Sequence, residues 1–395
     1  MDAATLQFAR EHIHADTVQL LLQSARYPYI DMRAAVQQIE GLRDAAEKWP
    51  SLLECPGYLY PPHLNREQSS SEATAHYKAN LPAMAGARVA DLTGGMGIDT
   101  LALARAAEHV DYVERDAALC DLMQHNLKVL GIGNVTVHCA DSMEWLSAQF
   151  TSHQTPFTGI YLDPARRKQG QRAHAFEDCI PNLLAHLDLL RACSDQLVVK
   201  ASPMIDLQRA TQQLGAVAGI HVVAVRGECK EVLLACRRQA EAPTLHCVNL
   251  QGGRCHIFDF RREEERQAEG RYCTEAGNYL YEPHSALMKG APFKLIAQRY
   301  GVAQLDPNSH LYTGDDWRSD FPGRQFKILQ EVKPNKKVIA QIIPDRAAHV
   351  VTRNYPVAAA QLQRQLGLRE GGDRYLIATT VAGRRCCYLC ERVEG

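Results

Sequence analysis

Four acidic residues of this chain close or follow short apolar runs, and the first of them precedes a glycine-rich turn. Asp91 leads into Thr93-Gly94-Gly95-Met96-Gly97, and the later acids are Glu114, Asp141 and Asp163. Glycines let the backbone turn sharply and approach a bound molecule. The carboxyl ends of parallel strands meet at one edge of an open α/β sheet, where ligands bind. The spacing therefore predicts a ligand site at that edge, lined by carboxylates.

The elements that position these acids alternate regularly between Arg88 and about Arg238. The apolar runs predict strands near 88–92, 109–114, 135–139, 158–163, 196–201, 219–226 and 231–237. Helices are predicted near 97–107, 117–130, 143–149, 178–193 and 206–214. The last two strands are joined by Gly227-Glu228-Cys229-Lys230, which is too short for a crossover helix. They must therefore be antiparallel.

This order resembles the class I S-adenosylmethionine-dependent methyltransferases, an α/β class with a Rossmann-like, seven-stranded core. A nicotinamide-binding domain is the competing interpretation of the glycine turn. Its G-x-G-x-x-G fingerprint fails because Thr100 stands where the third glycine belongs. The resemblance implies S-adenosyl-L-methionine as the cofactor and methyl transfer as the activity.

The resemblance also implies a set of cofactor contacts. The turn would surround the methionine part of the cofactor, and Asp91 would reach its amino group directly or through water. Glu114 could accept both ribose hydroxyls, with Asp116 as the alternative. Asp141, with Ser142 beside it, could accept the adenine amino group or cap the following helix, and the two roles can coexist. The predicted cofactor-binding residues are Asp91, Thr93, Gly94, Gly95, Gly97, Glu114, Asp141 and Ser142.

Asp163-Pro164-Ala165-Arg166 is predicted to be the chemistry motif. Methyl transfer from a sulfonium is an in-line displacement, so the enzyme mainly aligns a nucleophile and handles its proton. Base amino-methyltransferases use Asp/Asn-Pro-Pro-aromatic to hold an amino group. Ala165 and Arg166 depart from that pattern, and the aromatic that stacks on a flipped base is missing. The motif is also similar to that of uridine-C5 methyltransferases, but 198–204 supplies no nucleophilic cysteine.

Basic residues follow this motif. Arg167, Lys168 and Arg172 continue from Arg166 with no acid before Glu177. This segment suits the phosphates of a polynucleotide, although a solvated charged loop explains it equally well. Lys200 ends an apolar strand, so we expect it to face the site, where it would bind phosphate or cap a helix. The predicted catalytic residues are Asp163, Pro164, Arg166 and Lys200.

Composition restricts the remaining possibilities. The 395 residues carry a net charge of −1, so contact with nucleic acid must come from local patches. The N-terminus lacks the pattern of a signal peptide, and no apolar run is long enough to span a bilayer. The 13 cysteines are expected to be free thiols in a cytoplasmic protein. Cys386, Cys387 and Cys390 are interpreted as core residues rather than metal ligands, and no metal is predicted.

The C-terminal region is predicted to mix strands and helices. A hairpin is expected at 245–250 and 255–260, and a solvated linker at 261–271. A helix near 285–300 is followed by strands near 325–332 and 337–343. A helix near 356–366 and a hairpin at 374–382 and 385–391 complete the chain.

A second resemblance rests on motifs spread along the chain, and it is to a bacterial family of class I methyltransferases with a THUMP-like C-terminal domain. The motifs lie at 67–72, 93–97, 163–167, 279–283, 308–312, 352–356 and 371–376. It implies a helical N-terminal domain at 1–80 and a methyltransferase core at 81–240. A linker hairpin with a small ferredoxin-like module would occupy 241–322, and a THUMP-like α+β domain 323–395.

THUMP domains are associated with RNA-modifying enzymes, so this resemblance favours an RNA partner, tRNA or rRNA. The leading hypothesis is methylation of a base nitrogen in structured RNA, with Asp163 positioning the amino group. One alternative is a cofactor-binding, RNA-associated protein whose catalysis is weak or lost. Another is a small-molecule methyltransferase, which leaves about 150 C-terminal residues unexplained.

Overall fold

The computed structural model describes residues 1–150, 157–166 and 176–393. The chain divides into two compact units. The first unit contains Met1–His221 and Glu231–Pro243, and the second contains Val222–Lys230 and Thr244–Gly395. The predicted boundaries of the individual domains stay predictions.

The N-terminal part of the first unit is helical, as predicted. Its helices are α1 (Ala3–Glu11), α2 (Thr17–Leu22), α3 (Met32–Lys48), α4 (Pro50–Leu53), α5 (His63–Gln68) and α6 (Glu72–Ala79). Ala35, Ile39 and Leu42 form a buried stripe along α3, as their helical spacing indicates. The cap of α6 is Ser71, whose hydroxyl accepts the backbone N–H of Thr74.

Strands and helices then alternate through the rest of the first unit. In chain order they are β1 (Arg88–Asp91), α7 (Ile98–Leu103), β2 (His109–Glu114), α8 (Ala117–Leu130), β3 (Val135–Cys139), α9 (Ser142–Phe150), β4 (Gly159–Leu162), β5 (Ala165–Arg166), β6 (Cys179–Ile180), α10 (Leu187–Cys193), β7 (Gln196–Ala201), α11 (Leu207–Leu214), β8 (Val217–Val225) and β9 (Glu228–Arg237).

The sheet has the order expected of a class I methyltransferase core. Seven of its nine strands lie in the order β3-β2-β1-β4-β7-β9-β8. The neighbours from β3 to β7 are parallel, and β9 runs antiparallel to β7. The carboxyl ends of β1, β2, β3, β4 and β7 therefore share one edge, which brings together the acids selected from the sequence.

The helix predicted at 178–193 was wrong in its first half. Cys179–Ile180 instead pairs with Ala165–Arg166 as a short antiparallel ribbon, and only Leu187–Cys193 is α-helical. Pro181 explains the difference, because it lacks a backbone N–H and its ring disrupts a continuing helix.

The second unit includes Val222–Lys230, at the tip of the β8–β9 hairpin, and the chain from Thr244 onward. Its elements are β10 (Thr244–Gln251), β11 (Arg254–Arg261), α12 (Arg262–Gln267), β12 (Tyr279–Pro283), α13 (Ser285–Gly290), α14 (Phe293–Tyr300), β13 (Ala303–Gln304), β14 (Tyr312–Gly314), β15 (Gly323–Glu331), α15 (Lys336–Ile342), β16 (His349–Thr352), α16 (Ala359–Leu366), β17 (Arg374–Val381) and β18 (Arg384–Val393).

A second sheet organises this unit, and its described strands follow the order β13-β14-β12-β15-β18-β17-β16. One apolar cluster contains Ile339, Leu362 and Leu376, and another contains Leu280 and Phe326. The predicted hairpins β10–β11 and β17–β18 are present. The three clustered cysteines lie buried in these cores.

Three sequence-based predictions in this unit were wrong. The charge-rich segment 261–271 contains the helix α12. The helix expected at 285–300 is two helices, because Ala291 adopts a left-handed φ of 60° before Pro292. The strand expected at 337–343 is the helix α15, whose N-cap is the Asn335 side chain. Its β-branched residues favour a strand, but the cap and the buried Ile339 stabilise a helix.

None of the helices in the described part of the chain combines the length and apolar character needed to cross a membrane.

Candidate functional site

A cavity of about 330 Å³ opens at the carboxyl edge of the first unit's sheet. The loops after β1, β2, β3 and β4 line it, together with Asn65, Gln68, Ser69 and Ser70 from the end of α5 and the turn that follows. The predicted residues Thr93, Gly94, Gly95, Gly97, Glu114, Asp141, Ser142 and Asp163 all lie on its wall.

The glycine turn forms one wall because side chains are excluded there. A Cβ on Gly94 would lie 2.2 Å from the Tyr112 ring, closer than any real contact. Gly97 has a φ of 84°, in the left-handed region that favours glycine. The Tyr112 hydroxyl also donates a hydrogen bond of 2.8 Å to the Gly95 carbonyl. The turn is thus packed tightly on β2, with its backbone facing the cavity.

Asp91 lies behind this wall rather than on it. Its carboxylate is buried and accepts the Thr93 N–H at 3.1 Å and the Thr100 hydroxyl at 2.6 Å. Burial raises the pKa of Asp91 to about 7, and the nearby Asp99 carboxylate contributes to the shift. Thr100, which excludes the dinucleotide fingerprint, therefore holds the carboxylate that anchors the turn.

Glu114 connects β2 to the glycine turn. One carboxylate oxygen accepts the Gly95 N–H at 3.0 Å, and the other accepts the N–H groups of Arg115 and Asp116. Asp116, the alternative ribose ligand, also lines the cavity, but its side chain caps α8 through the N–H groups of Ala118 and Leu119. The geometry favours Glu114 as the acid directed at the turn.

Asp141 is a helix cap that also borders the cavity. Its Oδ1 accepts the backbone N–H groups of Met143 and Glu144. Ser142 begins α9 and lies beside it on the cavity wall. Both roles considered for Asp141 are therefore geometrically compatible.

Asp163 and Lys200 meet directly. The Lys200 ammonium lies 2.5 Å from Asp163 Oδ2, while the Asp163 N–H donates to the Thr93 hydroxyl at 2.7 Å. Pro164 follows Asp163 and leads into β5. The side chain of Arg166 and the basic residues Arg167, Lys168 and Arg172 lie outside the part of the chain that the structure describes.

This pair belongs to a larger cluster of charged side chains, which we call the buried charge cluster. Its members are Lys78, Asp99, Asp163, Lys200 and Glu231. The Lys78 ammonium lies 3.0 Å from both Asp99 and Glu231. Ser70 joins the two lysines, because its hydroxyl oxygen accepts from Lys78 at 2.8 Å and from Lys200 at 3.4 Å. The same hydroxyl donates to Asp99 at 2.8 Å.

The charges of this cluster stabilise one another. Burial alone would lower the pKa of Lys200, but the carboxylates of Asp163, Glu231 and Asp99 raise it above its ordinary value. Burial alone would raise the pKa of Asp99, but the ammonium groups of Lys78 and Lys200 hold it below its usual range. Lys200 is therefore an ammonium group in the free protein, and Asp99 is ionised.

The sequence analysis missed Ser70, Lys78, Asp99 and Glu231. The 67–72 motif, one of those on which the family resemblance rests, contains Ser70, but the resemblance gave that serine no role in the site. Lys78 shares a helical face with Thr74, Ala75 and Ala79, which are all buried. A lysine on such a face was the one available signal, since long cationic side chains are rarely buried unless paired.

The sheet order, the side-chain-free glycine turn and the acids at the strand ends define a class I methyltransferase. Three family descriptions match parts of the chain. "Conserved hypothetical protein 95" matches residues 73–195, a ferredoxin-like domain matches 279–322, and a THUMP domain-like family matches 323–392.

Whole-chain comparisons agree. A crystal structure of a candidate methyltransferase from Porphyromonas gingivalis W83 is 33% identical, with a TM-score of 0.85 over 99% of this chain and 98% of that chain. An uncharacterized S-adenosylmethionine-dependent methyltransferase of Mycobacterium tuberculosis is 27% identical over 350 residues, which cover 86% of this chain and 90% of that protein. The chain belongs to this family of S-adenosylmethionine-dependent methyltransferases with ferredoxin-like and THUMP-like C-terminal domains.

Proposed function

We propose that this methyltransferase acts on structured RNA, tRNA or rRNA, and that its C-terminal region holds the RNA. The observation that carries this proposal is the THUMP domain-like match over residues 323–392. Binding of RNA would explain the presence of this domain, whereas methylation of a small molecule would not require it. Because fold alone does not establish function, the proposal depends on a direct test.

Exposed lysines in the second unit support an RNA contact. Lys333 precedes α15, and Lys336 and Lys337 stand in its first turn, all three exposed. Cations at a helix N-terminus oppose the helix dipole, so these lysines do not serve the helix itself. In contrast, Arg324, Arg353 and Arg384 form ion pairs within the unit. The contact is therefore assigned to the lysines near α15.

The cofactor is assigned to the 330 Å³ cavity of the first unit. The backbone of the glycine turn would face the methionine part of S-adenosylmethionine, and Glu114 would accept its ribose hydroxyls. Asp141 and Ser142 would lie at the adenine. Asp91 would act on the amino group through water or by holding the turn, since it stands behind the wall.

The cofactor assignment can be tested with two glutamates. Glu114→Gln should weaken S-adenosylmethionine binding at least tenfold, because a charge-assisted acceptor is lost. Glu108→Gln, which alters an exposed glutamate outside the cavity wall, is the matched control. Equal affinities of the two variants in isothermal titration calorimetry would contradict the assignment.

The RNA proposal is tested by transfer of labelled methyl groups to size-fractionated RNA. RNA from cells that lack this enzyme should accept label in one fraction, and RNA from normal cells should not. Absence of label from every fraction, with cofactor binding demonstrated, would contradict an RNA substrate. It would favour a small acceptor or a protein that has lost catalysis.

The RNA contact has its own test. Replacing Lys333, Lys336 and Lys337 with alanine should weaken RNA binding. It should also reduce the slope of log K, the logarithm of the RNA association constant, against log salt concentration by roughly two, because each phosphate contact releases about 0.7 counterions. A control variant neutralises three exposed basic residues elsewhere, Arg33, Lys128 and Arg254. If the two variants bind RNA equally, the lysines near α15 are not the contact.

The choice of a base nitrogen as the acceptor stays a prediction. It rested on Asp163 accepting hydrogen bonds from an amino group. The Lys200 ammonium on Asp163 Oδ2 competes with that role, and the acceptor atom therefore needs a separate argument.

A further inference from the structure

The buried charge cluster borders the cavity that is assigned to the cofactor. Asp163 and Asp99 line the cofactor cavity, and so does Ser70, which contacts both lysines. The side chains of Asp163 and Lys200 are 34% and 14% exposed, whereas those of Lys78 and Glu231 are 1% and 3% exposed. Asp163 thus faces the cavity, and the Lys200 ammonium reaches two residues of its wall, Asp163 and Ser70. Lys78 and Glu231 lie deeper and support this arrangement from behind.

An ammonium group at this position is unsuited to an amino acceptor. An attacking amine becomes more positive as its bond to the methyl forms, and a fixed cation nearby opposes that charge. An amine also needs hydrogen-bond acceptors for its N–H groups, whereas a lysine ammonium has donors only. Lys200 offers the wrong charge and the wrong hydrogen-bonding group.

A hydroxyl acceptor has the opposite requirements. Its oxygen becomes more negative as the proton leaves, and a preorganised donor stabilises that charge in the transition state. A carboxylate beside the donor can take the proton. The ammonium of Lys200 and the carboxylate of Asp163, 2.5 Å apart, provide both groups at one point.

In the described part of the chain, the cavity wall has no aromatic side chain that could stack on an extruded base. Among the described residues that line it, none is Phe, Tyr, Trp or His. Enzymes that methylate bases in a duplex stack the extruded base between aromatic or apolar side chains. Ala165, which takes the second proline's place in the amino-methyltransferase motif, lines the cavity and offers no ring.

We propose that the methyl acceptor is a hydroxyl oxygen, and that in RNA it is the ribose 2′-hydroxyl. This proposal rests on the proposed RNA substrate, because the 2′-hydroxyl is the hydroxyl that unmodified RNA carries at each internal nucleotide. It replaces the base nitrogen predicted from the sequence.

The reaction balances without a further reagent. The hydroxyl oxygen forms a bond to the methyl carbon as the carbon–sulfur bond breaks, and the electron pair of that bond stays on sulfur. The sulfur atom thereby loses its positive charge, and S-adenosylmethionine becomes S-adenosylhomocysteine. The hydroxyl proton passes to the Asp163 carboxylate, from which solvent removes it, while the Lys200 N–H groups stabilise the charge on oxygen.

Ser70, Lys78 and Glu231 are positioning residues in this scheme. The Ser70 hydroxyl accepts from Lys200, and the carboxylate of Glu231 stabilises the charges of Lys200 and Lys78. Ser70→Ala should lower kcat between about ten- and a hundredfold, because displacement of a reacting group by about 1 Å has effects of that size. The KM for RNA should stay the same, and the variant should remain folded, although loss of a buried hydroxyl that bonds three charged groups lowers its stability. If the variant loses stability but its folded fraction keeps the full kcat, Ser70 has a structural role only.

The decisive measurement is alkaline hydrolysis of RNA that the full-length enzyme has methylated with labelled cofactor. Alkali cleaves RNA through the 2′-hydroxyl, so a 2′-O-methyl group leaves the next bond intact. Label is expected in alkali-stable dinucleotides. Label in mononucleotides would overturn the hydroxyl proposal and leave RNA methylation standing. Label in no RNA would overturn both.

A substitution of Lys200 sharpens this result. Lys200→Met should lower the single-turnover rate roughly 10²–10³-fold, as removal of a transition-state hydrogen-bond donor does, with cofactor binding retained. For an amino acceptor, loss of the opposing cation would leave the rate equal or higher, which would contradict the proposal. The hydrolysis result uses the unaltered enzyme and does not depend on folding of this variant.

Discussion

Each of the two units contains a buried charge that is held by two groups of opposite charge, but the exposure of those groups differs between the units. In the first unit the Lys78 side chain is 1% exposed, and its ammonium contacts Asp99 and Glu231, whose side chains are 12% and 3% exposed. In the second, Glu282 is 4% exposed and binds Arg324 and Arg353, whose side chains are 43% and 40% exposed.

This difference separates two uses of charge. Buried ions lose their hydration and must be held by their partners, which fixes their geometry as a reacting centre requires. Half-exposed arginines keep much of their hydration, and Glu282 orders them without burying them. The first arrangement suits methyl transfer, and the second holds together strands of the C-terminal unit, because Arg324 and Arg353 come from β15 and the segment just after β16.

The largest expected effect comes from removing a buried cation. Lys78→Met leaves Asp99 and Glu231 without their ion-pair partner, and should lower the free energy of unfolding by about 3–5 kcal/mol. Urea unfolding of the full chain measures this loss. A loss below about 1 kcal/mol would mean that water reaches the cluster, and the contrast in depth between the units would disappear.

The next effect concerns a single buried histidine in the second unit. Burial lowers the pKa of His284 to about 4, and among the described residues nothing hydrogen-bonds its Nδ1. In the unfolded chain His284 takes up a proton near pH 6.5, whereas in the folded protein it stays neutral down to about pH 4. The free energy of unfolding is therefore highest above pH 6.5 and falls as the pH decreases towards 4. Between pH 7.5 and 5 the loss should be about 2 kcal/mol.

Urea unfolding at these two pH values measures that loss, with His284→Gln as the comparison. Between pH 7.5 and 5, the free energy of unfolding of the variant should fall by about 2 kcal/mol less than that of the unaltered protein. Equal pH dependence in the two proteins would mean that the imidazole titrates normally.

A smaller effect is expected for cofactor affinity. With a pKa of about 7, Asp91 is half protonated at neutral pH, and the positive cofactor should favour its ionised form. Binding should therefore release protons and tighten roughly tenfold between pH 6 and 8. Isothermal titration calorimetry in buffers of different ionisation enthalpy measures both quantities. Asp91→Asn should abolish this dependence, and an unchanged pH profile in that variant would assign the titration to another group.

The smallest effect should come from an exposed pair in the second unit. Arg374 and Glu391 form an ion pair in which both side chains are more than 40% exposed. Arg374→Met should change the free energy of unfolding by less than about 1 kcal/mol, and salt should reduce the effect. A loss comparable to that of Lys78→Met would show that exposure does not distinguish the two kinds of cluster.

Sequence patterns predicted the sheet because its geometry follows local rules. Apolar runs, glycine turns and the short connection at Gly227 give the alternation of strands and helices and the antiparallel end. Parallel strands then bring Glu114, Asp141 and Asp163 to one edge. The strand predicted at 337–343 failed because a single asparagine cap and one buried side chain outweigh β-branched propensity.

The amino-acid sequence by itself determined the class I core, the glycine turn and the acids at the strand ends, because these follow from short-range periodicity and strand direction. The tertiary structure alone decided the partners of Asp163 and Lys200. Lys78 lies 153 residues from Glu231, and Ser70 lies 130 residues from Lys200. No local pattern records contacts at that separation, since they arise when the N-terminal helices pack over the carboxyl edge of the sheet.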